Sequence, residues 1–527
     1  MCGIFAYIGD SLDWSNLEKE SNKIKYRGPD NSNMKHVGEN VLFSFHRLAI
    51  MGVSKKGDQP LLHPEEKDIS IICNGEIYNY KKLGEKFGFK LESGSDCEII
   101  LHLYRKFGIR KTIEYLDGVF MLVLFDKKKN KLFAARDPYG VRPGFIGYSD
   151  DGIFFASEAK SLSLLCEKIT PFPPGNIWNH EENKFYQYYL PNPRSLNKTS
   201  EKDLTEGINK RLTEAVKKRM MADREVGSLL SGGLDSSLIS ALVNKFSNKK
   251  LKTFSIGMRD SIDLQYAQVV AKHLNTDHYN IEISTKNFLN SIEKVIYNIE
   301  SFDTTTVRAS VGNYLVSKFI RDNSDCKVIF NGDGSDEVCG GYLYMRDAPN
   351  PEAFKKECER LVNELYFFDV LRSDRSISSN GLEARTPFLD KKFVQYYLSI
   401  PPEKKIFDGK EIIEKRLLRE AFYGTGILPD SVLWRRKCAF SDGVSTTSNS
   451  WHHIIQDFVE NKISDNEFTK DSKNISHCMP LTKESYYYRK IFDSFFGKRE
   501  KLIPHFWMPR WSNATDPSAR ELSNYTE

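Results

Sequence analysis

The first 190 residues contain short runs of β-branched, aromatic and other apolar residues, separated by turn-forming residues. The clearest runs lie at 41–45, 69–73, 119–125, 131–135 and 152–156. Runs of this length between turns are typical of β-strands, and the stretch 96–107 has the apolar pattern of a helix. We therefore predict stacked sheets with a few helices in this part of the chain.

The pattern changes after a polar, loop-forming stretch that we predict to be a linker at 191–202. Beyond it, strand candidates at 226–230, 251–256, 278–283 and 327–330 alternate with helical segments, and helices predominate from about residue 350. Such alternation is typical of a parallel, doubly wound α/β sheet. We predict one domain at 2–190, a second at 203–515, and a weakly structured tail at 516–527.

Composition narrows the class of protein. The chain has 527 residues, 40% of them hydrophobic, and a mean hydropathy of −0.48. It has no apolar run near the ~18 residues of a membrane span and no secretory signal pattern, so we expect a cytoplasmic protein without a membrane partner. The nine cysteines are scattered along the chain, which favours neither a disulfide framework nor a zinc site. The net charge of +5 is too small to favour nucleic-acid binding.

Cys2 is the first residue with candidate chemistry. Removal of Met1 would give it both a thiol and a free α-amine, and an α-amine titrates near ~7.7–8.0. A nucleophile and a base would then share one residue. The alternative is an ordinary buried cysteine, because free cysteine is often buried.

A second candidate is the glycine-serine loop at 231–237, which follows a predicted strand and precedes a helical run at 238–246. Its glycines allow backbone N–H groups to approach a ligand, and the helix N-terminus adds donors for a phosphate. The loop lacks the lysine of a Walker motif. It therefore indicates an anion site of another kind, with a simple turn as the alternative.

An acidic loop at 331–337 follows the strand candidate at 327–330. Parallel sheets bind ligands at the carboxyl ends of their strands, and Mg²⁺ prefers carboxylate and phosphate oxygens. Asp235 and Asp336 are therefore the candidate ligands of a Mg²⁺ ion bound to phosphates. Alone, this loop would be a solvated turn; its pairing with the first loop favours a site.

The two regions together resemble a known family. The loop 231–237 is similar to that of enzymes that split ATP between its α- and β-phosphates, and the domain that begins at Cys2 is similar to the N-terminal-nucleophile glutaminases. The whole chain, from Cys2 to Arg520, resembles the glutamine-hydrolysing asparagine synthetases, in their eukaryotic more than their bacterial form. The resemblance implies an N-terminal αββα sandwich, then a doubly wound α/β ATP pyrophosphatase domain with a mostly helical C-terminal part.

In the glutaminase half the resemblance implies that Cys2 is the nucleophile. Arg47 would bind the glutamine α-carboxylate and Asp96 its α-ammonium. The oxyanion hole would consist of the Asn74 side chain and the Gly75 backbone N–H. The glutamine-binding residues are Arg47, Asn74, Gly75, Glu76 and Asp96. By itself the Asn74-Gly75 pair is typical of a hairpin turn.

In the synthetase half the resemblance implies ATP and Mg²⁺ sites. Lys437 would neutralise the α-phosphate and Asp333 would assist the ammonia step, while Asp235 and Asp336 would hold the metal. The ATP-binding residues are Leu230, Ser231, Gly232, Gly233, Asp235, Ser236, Ser237, Ile256, Asn331 and Gly332. The substrate or adenylate residues are Thr305, Thr306, Arg308, Asp369, Arg372 and Arg385, some of which could instead form structural ion pairs.

Four positions depart from the family pattern. Asp333 stands where the family usually has Glu, Asn331 where it has Ser, Tyr26 where it has His, and Ile262 where it has Pro. The carboxylate of Asp333 is kept but is one methylene shorter. Because catalytic geometry is sensitive to displacements near ~1 Å, this position puts the rate of turnover in doubt.

We therefore predict an enzyme that makes L-asparagine from L-aspartate, L-glutamine and ATP through a β-aspartyl adenylate. Its small-molecule partners are these three substrates, and the resemblance allows a homodimer. One alternative is an amidotransferase of the same fold that acts on another carboxylate, or a β-lactam-forming relative. Another is a catalytically weak regulatory homologue, which the shorter Asp333 would favour.

Overall fold

The computed structural model describes residues 1–10, 13–191, 193–437, 444 and 450–517. Their contacts divide the chain into two compact units. The first contains Met1–Pro191, Met221–Glu225 and Ile377–Glu383, and the second contains Val226–Ser376 with the described residues of 192–220 and 384–527. Two short segments that lie beyond residue 220 in the sequence thus belong to the first unit. Residues 518–527 of the predicted tail lie outside the described residues.

The first unit contains two antiparallel sheets. One has the strand order β10-β8-β9-β1-β3-β2 and the other β12-β11-β7-β6-β5-β4. The strands are β1 Gly3–Gly9, β2 Asn31–His36, β3 Val41–Arg47, β4 Leu61–Leu62, β5 Ile69–Ile77, β6 Gly118–Asp126, β7 Lys131–Arg136, β8 Phe145–Ser149, β9 Gly152–Ala156, β10 Lys168–Pro171, β11 Asn176–Asn179 and β12 Lys184–Gln187. The helices are α1 Trp14–Asn22, α2 Tyr80–Phe87 and α3 Glu98–Tyr115.

Strand β6 shows why the predicted strands are apolar throughout. Phe120, Leu122 and Leu124 belong to a buried cluster that also contains side chains of α2 and α3. The residues between them, such as Met121 and Val123, belong to a second cluster with side chains from both sheets. Successive side chains of a strand point to opposite faces. One face of β6 packs against helices and the other against side chains of the other sheet, so both faces are apolar.

Helix α3 differs from its predicted extent of 96–107. It begins at Glu98 and ends at Tyr115, with a non-helical backbone at Gly108 (φ 73°, ψ 170°). Glycine adopts positive φ without the steric cost of a Cβ. The apolar pattern therefore ends at this break, although helical structure continues after it.

A third sheet lies almost entirely in the second unit and has the strand order β15-β14-β13-β16-β17. In it β13, β14 and β15 pair in parallel. Its strands are β13 Glu225–Leu229, β14 Lys252–Gly257, β15 Asp277–Glu282, β16 Cys326–Phe330 and β17 Glu383–Arg385. The helices in this part of the chain are α4 Glu201–Arg219, α5 Leu234–Phe246, α6 Ile262–Leu274, α7 Thr285–Ile299, α8 Thr304–Asn323, α9 Ser335–Cys339, α10 Pro351–Glu364, α11 Asp369–Ser378, α12 Lys391–Ser399, α13 Arg416–Glu420, α14 Asp430–Leu433, α15 Trp451–Glu460, α16 Asp465–Ser472 and α17 Lys483–Phe496.

The predicted fold class is confirmed, with antiparallel sheets first and a parallel α/β sheet with a mostly helical C-terminal part after them. The central strand β13 is followed by the loop that begins α5, and β16 by the loop that begins α9. Because β13 and β16 are neighbours in the sheet, the glycine-serine loop and the acidic loop leave adjacent strands. No helix of the described residues is both long and apolar enough to cross a membrane.

Candidate active sites

The first candidate site surrounds Cys2, immediately before β1. The backbone N–H of Cys2 donates to Asn74 Oδ1 at 2.9 Å, and the Leu48 N–H donates to Cys2 Sγ at 3.4 Å. Met1 is present and fully buried, and its ammonium group lies 3.7 Å from the Glu383 carboxylate. The Cys2 nitrogen would become the α-amine after Met1 is removed. That amine would therefore form beside both the thiol and Asn74.

Arg27 and Glu158 hold the backbone of Cys2. Arg27 Nε donates to the Cys2 carbonyl at 3.0 Å, and its Nη1 lies 2.5 Å from the carboxylate of Glu158. Both side chains are fully buried. A buried, hydrogen-bonded ion pair has little freedom to move, so the position of Cys2 is fixed from behind. No motif along the chain indicates Glu158.

The pocket at Cys2 is small, about 30 Å³. Its walls bring together every residue predicted for the glutaminase site: Cys2, Arg47, Asn74, Gly75, Glu76 and Asp96. Glu383, from the short segment of the first unit that comes late in the sequence, also lines it. Burial raises the pKa of the Cys2 thiol to about 11, so the thiol is protonated while Met1 is in place.

Asn74 and Gly75 lie inside β5 rather than in a hairpin turn, opposite Met121 and Phe120 of β6. A Cβ on Gly75 would lie 2.4 Å from the carbonyl oxygen of Val119, so glycine is needed where the strands approach. Asn74 Nδ2 is buried and has no hydrogen-bond partner among the described residues. Such a donor is costly unless a ligand accepts its hydrogen bond.

Arg47 and Asp96 are already partly engaged. Arg47 donates to the carbonyl of Ser54 at 2.7 Å and of Gly52 at 2.5 Å, and to the carboxylate of Asp58 at 2.6 Å. Asp96 Oδ2 accepts from the Ile77 N–H at 2.6 Å. These contacts fix the orientation of both side chains at the edge of the Cys2 pocket.

The second candidate site is a cavity of about 260 Å³ in the second unit. The loop before α5 folds on itself, since Ser236 Oγ accepts from the Ser231 N–H at 3.1 Å. A Cβ on Gly232 (φ +74°) would lie 2.5 Å from the Ala267 nitrogen. No side chain caps the N-terminus of α5, so its first N–H groups remain available to an anion.

Lys415 joins the two predicted metal ligands. Its Nζ lies 2.6 Å from the carboxylate of Asp235 and 2.5 Å from that of Asp336, and Lys437 forms a second ion pair with Asp336. Burial alone would raise the pKa of Asp336, but the two ammonium groups outweigh it and hold that pKa below its ordinary value. Asp235 and Asp336 are therefore close together, and Asp336 is an anion.

Asp333 has a different environment. Its Oδ2 accepts from Asn331 Nδ2 at 2.7 Å, and its Oδ1 lies 3.6 Å from Arg372. Arg372 also pairs with Asp369. Burial, and then the negative charge of Asp369, raise the pKa of Asp333 to about 6 although Arg372 opposes this shift. Asp333 can therefore exchange a proton at a pH close to neutral.

The cavity brings together most of the other residues predicted for this half. Its lining includes Ser231, Gly233, Asp235, Ser236, Thr305, Arg308, Asn331, Gly332, Asp333, Asp336, Asp369, Arg372 and Lys437, but not Leu230, Gly232, Ser237, Ile256, Thr306 or Arg385. Arg308 is held by Glu484 at 2.5 Å and Asp516 at 2.7 Å. Arg385 is buried and donates to the Arg219 carbonyl. The guanidinium groups of Arg308 and Arg385 are thus engaged by other parts of the protein, as expected of structural ion pairs and hydrogen bonds.

Sequence reasoning missed Lys415 and Arg435. Arg435 donates to the Gly232 carbonyl at 3.0 Å and to Asp263 at 2.9 Å, so it steadies the glycine-serine loop. The feature of the sequence that could have indicated Arg435 is its place in the basic run that contains Lys437. Lys415 gave no such signal, because only the fold brings it between two carboxylates.

Comparisons with known proteins agree with this arrangement. The family model of the glutamine amidotransferase domain matches residues 1–190, and that of asparagine synthase matches residues 207–356 and 346–520. The asparagine synthetase [glutamine-hydrolyzing] of Rattus norvegicus is 44% identical over 100% of this chain and 99% of its own length, and that of Gallus gallus is 43% identical with the same coverage. The chain belongs to the family of glutamine-hydrolysing asparagine synthetases.

The resemblance stated from the sequence is thus confirmed. A glutamine phosphoribosylpyrophosphate amidotransferase from B. subtilis, solved with ADP and GMP, is similar at 17% identity and a TM-score of 0.33, covering 49% of this chain and 67% of its own.

The departures from the pattern of the asparagine synthetase family fall in different places. The hydroxyl of Tyr26 donates to the carboxylate of Glu158, in the network behind Cys2. Ile262 is the first residue of α6 and is exposed. Asn331 and Asp333 both line the large cavity, so these two departures bear most directly on the chemistry of the site.

Proposed function

We propose that this chain makes L-asparagine from L-aspartate, L-glutamine and ATP, and releases L-glutamate, AMP and pyrophosphate. The observation that carries the proposal is the convergence of Asp235 and Asp336 on Lys415, after adjacent strands. The same chain carries Cys2 beside Asn74, whose Nδ2 has no hydrogen-bond partner among the described residues. One site is suited to the hydrolysis of an amide and the other to the binding of a nucleotide phosphate.

At the first site the Cys2 thiol gives its proton to the α-amine that removal of Met1 creates, and the resulting thiolate attacks the glutamine amide carbon. The α-ammonium returns the proton to the amide nitrogen, the C–N bond breaks and ammonia leaves. Water then hydrolyses the γ-glutamyl thioester to glutamate and restores the thiol. Asn74 Nδ2 and the Gly75 N–H donate to the oxygen that becomes negative. Arg47 and Asp96 bind the α-carboxylate and α-ammonium of glutamine.

At the second site the β-carboxylate of aspartate attacks the α-phosphorus of ATP. The bond to the β-phosphate breaks, pyrophosphate leaves, and a β-aspartyl adenylate forms. Lys437 neutralises charge at the α-phosphate, while the N-terminus of α5 and the glycine-serine loop bind the phosphates. Ammonia then replaces AMP, and Asp333 accepts the proton that the nitrogen loses.

The donor set also fits a Mg²⁺ ion. Asp235 and Asp336 both lie within 2.6 Å of the Lys415 ammonium, so two carboxylates reach one point, as in Mg²⁺ sites completed by phosphate oxygens. When bound, Mg²⁺ neutralises phosphate charge. Asp235 and Asp336 would be its ligands from the protein, and phosphate oxygens would complete its coordination.

The described cysteines form no disulfide with one another, which supports the cytoplasm as the proposed compartment, because disulfides are rare there. A homodimer stays a prediction from the family resemblance.

The decisive experiment incubates the purified chain with aspartate, glutamine, ATP and Mg²⁺, and measures asparagine, AMP and pyrophosphate. Equal amounts of the three products are expected, and intact mass spectrometry should show that Met1 is absent. ADP and phosphate as products would contradict cleavage at the α-phosphorus. AMP formed only when another carboxylic acid replaces aspartate would favour that acid as the acceptor, and no turnover with either would favour the regulatory alternative.

A further inference from the structure

Asn331 follows β16 and its position is fixed by the sheet. Its backbone N–H donates to the Arg385 carbonyl of β17 at 3.1 Å, and the residue is 3% exposed. Its side-chain Nδ2 donates to Asp333 Oδ2 and to Ser373 Oγ, each at 2.7 Å. Both hydrogen atoms of the amide are therefore used, and one of them holds the carboxylate of Asp333.

The other end of the amide is different. Asn331 Oδ1 is buried and has no hydrogen-bond partner among the described residues, although Asn331 lines the cavity. The amide cannot be turned to satisfy this oxygen, because the carboxylate of Asp333 only accepts hydrogen bonds while it is ionised. An unpaired buried acceptor is costly, so this oxygen calls for a donor from a ligand.

Asn331 and Asp333 are also the two departures from the family pattern that line the cavity. Asp333 has a side chain one methylene shorter than the usual Glu, and Asn331 has a longer one than the usual Ser. A shorter side chain withdraws the carboxylate toward its own backbone, whereas the longer amide reaches it. The two changes are therefore complementary, and the contact between them is the 2.7 Å hydrogen bond.

We propose that Asn331 positions Asp333 for the ammonia step, and that its Oδ1 accepts an N–H of the incoming ammonia. This inference rests on the proposed function. Ammonia forms a C–N bond to the carbonyl carbon of the adenylate, and the C–O bond to AMP breaks with its electron pair on AMP. One proton of the nitrogen passes to the Asp333 carboxylate. Asn331 thus orients both the proton acceptor and the nucleophile.

The test is a double-mutant cycle of Asn331→Ser, Asp333→Glu and the double variant in the full chain. Ammonium chloride serves as nitrogen donor, so the Cys2 site takes no part. Each single variant should form asparagine roughly 10-fold or more slowly, since small displacements have large effects on rate. Pyrophosphate release with hydroxylamine as acceptor should fall by a smaller factor than asparagine formation does, because the loss is confined to the ammonia step. The double variant should recover most of the lost rate.

Asn244→Ser is the matched control, because Asn244 lies on α5 and donates to the Leu274 carbonyl at 3.0 Å, outside the cavity lining. This variant should leave the ratio of the rate of asparagine formation to the rate of pyrophosphate release unchanged. If Asn331→Ser does not fold, as judged by circular dichroism, Asn331→Thr takes its place in the cycle. Asn331→Ser should also raise the KM for ammonium.

Several results would overturn the inference. An unchanged asparagine rate in Asn331→Ser would show that the amide has no part in the step, and equal losses of asparagine and pyrophosphate would show a structural role only. A double variant no better than the poorer single variant would show that the two changes are not complementary. A wild-type chain that makes no asparagine overturns the proposed function as well, so the two failures are distinguishable.

Discussion

The pocket at Cys2 and the cavity at Asp235 and Asp336 hold their functional groups by different means. At Cys2, hydrogen bonds to backbone groups, such as those from Arg47 to the carbonyls of Ser54 and Gly52, act together with ion pairs to residues outside the predicted site, such as Arg27 with Glu158. At the cavity the ion pairs join predicted site residues to Lys415, which pairs with both carboxylates. The first site is therefore anchored to its surroundings, whereas the charges of the second neutralise one another.

This difference follows from the ligands. Glutamine is a small zwitterion, and the fixed charged groups of Arg47 and Asp96 suit its α-carboxylate and α-ammonium. ATP brings several negative charges, and a cavity of about 260 Å³ with unpaired lysines would be unstable when empty, because isolated buried charges are costly. The ion pairs of Lys415 with Asp235 and Asp336 stabilise all three charged side chains in the empty cavity. When ATP binds, phosphate would take the place of the carboxylates beside Lys415, and the metal would take the place of Lys415 beside the carboxylates.

The largest expected effect separates the two sites. Cys2→Ala should lower glutamine-dependent asparagine formation by at least about 10³-fold, because it removes the nucleophile. Formation from ammonium chloride should stay within about 2-fold of wild type, since Cys2 takes no part in it. Both rates are measured by amino-acid analysis. Cys166→Ala, at another buried cysteine of the same unit, is the control, and loss of both activities in Cys2→Ala would contradict the separation.

The second prediction concerns the cavity, where a substitution should impair the ATP reaction and leave glutamine hydrolysis intact. Asp336→Asn removes one carboxylate that neutralises Lys415 and would hold the metal, so pyrophosphate release should fall by roughly 10²-fold. Glutamine hydrolysis, measured as glutamate, should continue. Asp277→Asn, at an exposed residue of β15, provides the control. A variant that releases pyrophosphate at the wild-type rate would exclude Asp336 from the phosphate site.

The smallest effect concerns stability at Asp333. Its folded-state pKa is raised to about 6 by burial and by Asp369, against about 3.9 in an unfolded chain. Between these two values the folded state binds the proton and the unfolded state does not, so the wild type loses stability as pH rises. Asp333→Asn avoids this loss. It should be more stable by up to about 3 kcal/mol above pH 6, and the advantage should disappear below pH about 4.

Urea unfolding at pH 4 and pH 7.5 measures this difference. Asp408→Asn is a control of opposite sign, because backbone N–H groups, first that of Ile412, lower the pKa of Asp408. Its variant should lose stability at pH 7.5, and the loss should diminish as pH falls through the folded-state pKa. An Asp333→Asn variant without a pH-dependent advantage would mean that solvent reaches this carboxylate more freely than its contacts indicate.

Much of the fold could be predicted because strands buried on both faces leave continuous apolar runs. Strand β9 was predicted at 152–156 and is Gly152–Ala156, and β6 was predicted at 119–125 and is Gly118–Asp126. Helix ends were less accurate, as the break at Gly108 shows. Such a break depends on the backbone conformation of one residue, which an apolar pattern does not reveal.

For the sites, motifs along the chain were enough to predict Cys2, the glycine-serine loop and Lys437. The folded chain was needed to find Lys415 between Asp235 and Asp336, Glu158 behind Arg27, and the amide of Asn331 on Asp333. The difference lies in how far apart along the chain the interacting residues are. A motif is set by local backbone geometry, whereas an ion pair or hydrogen bond between distant residues depends on how strands and helices pack.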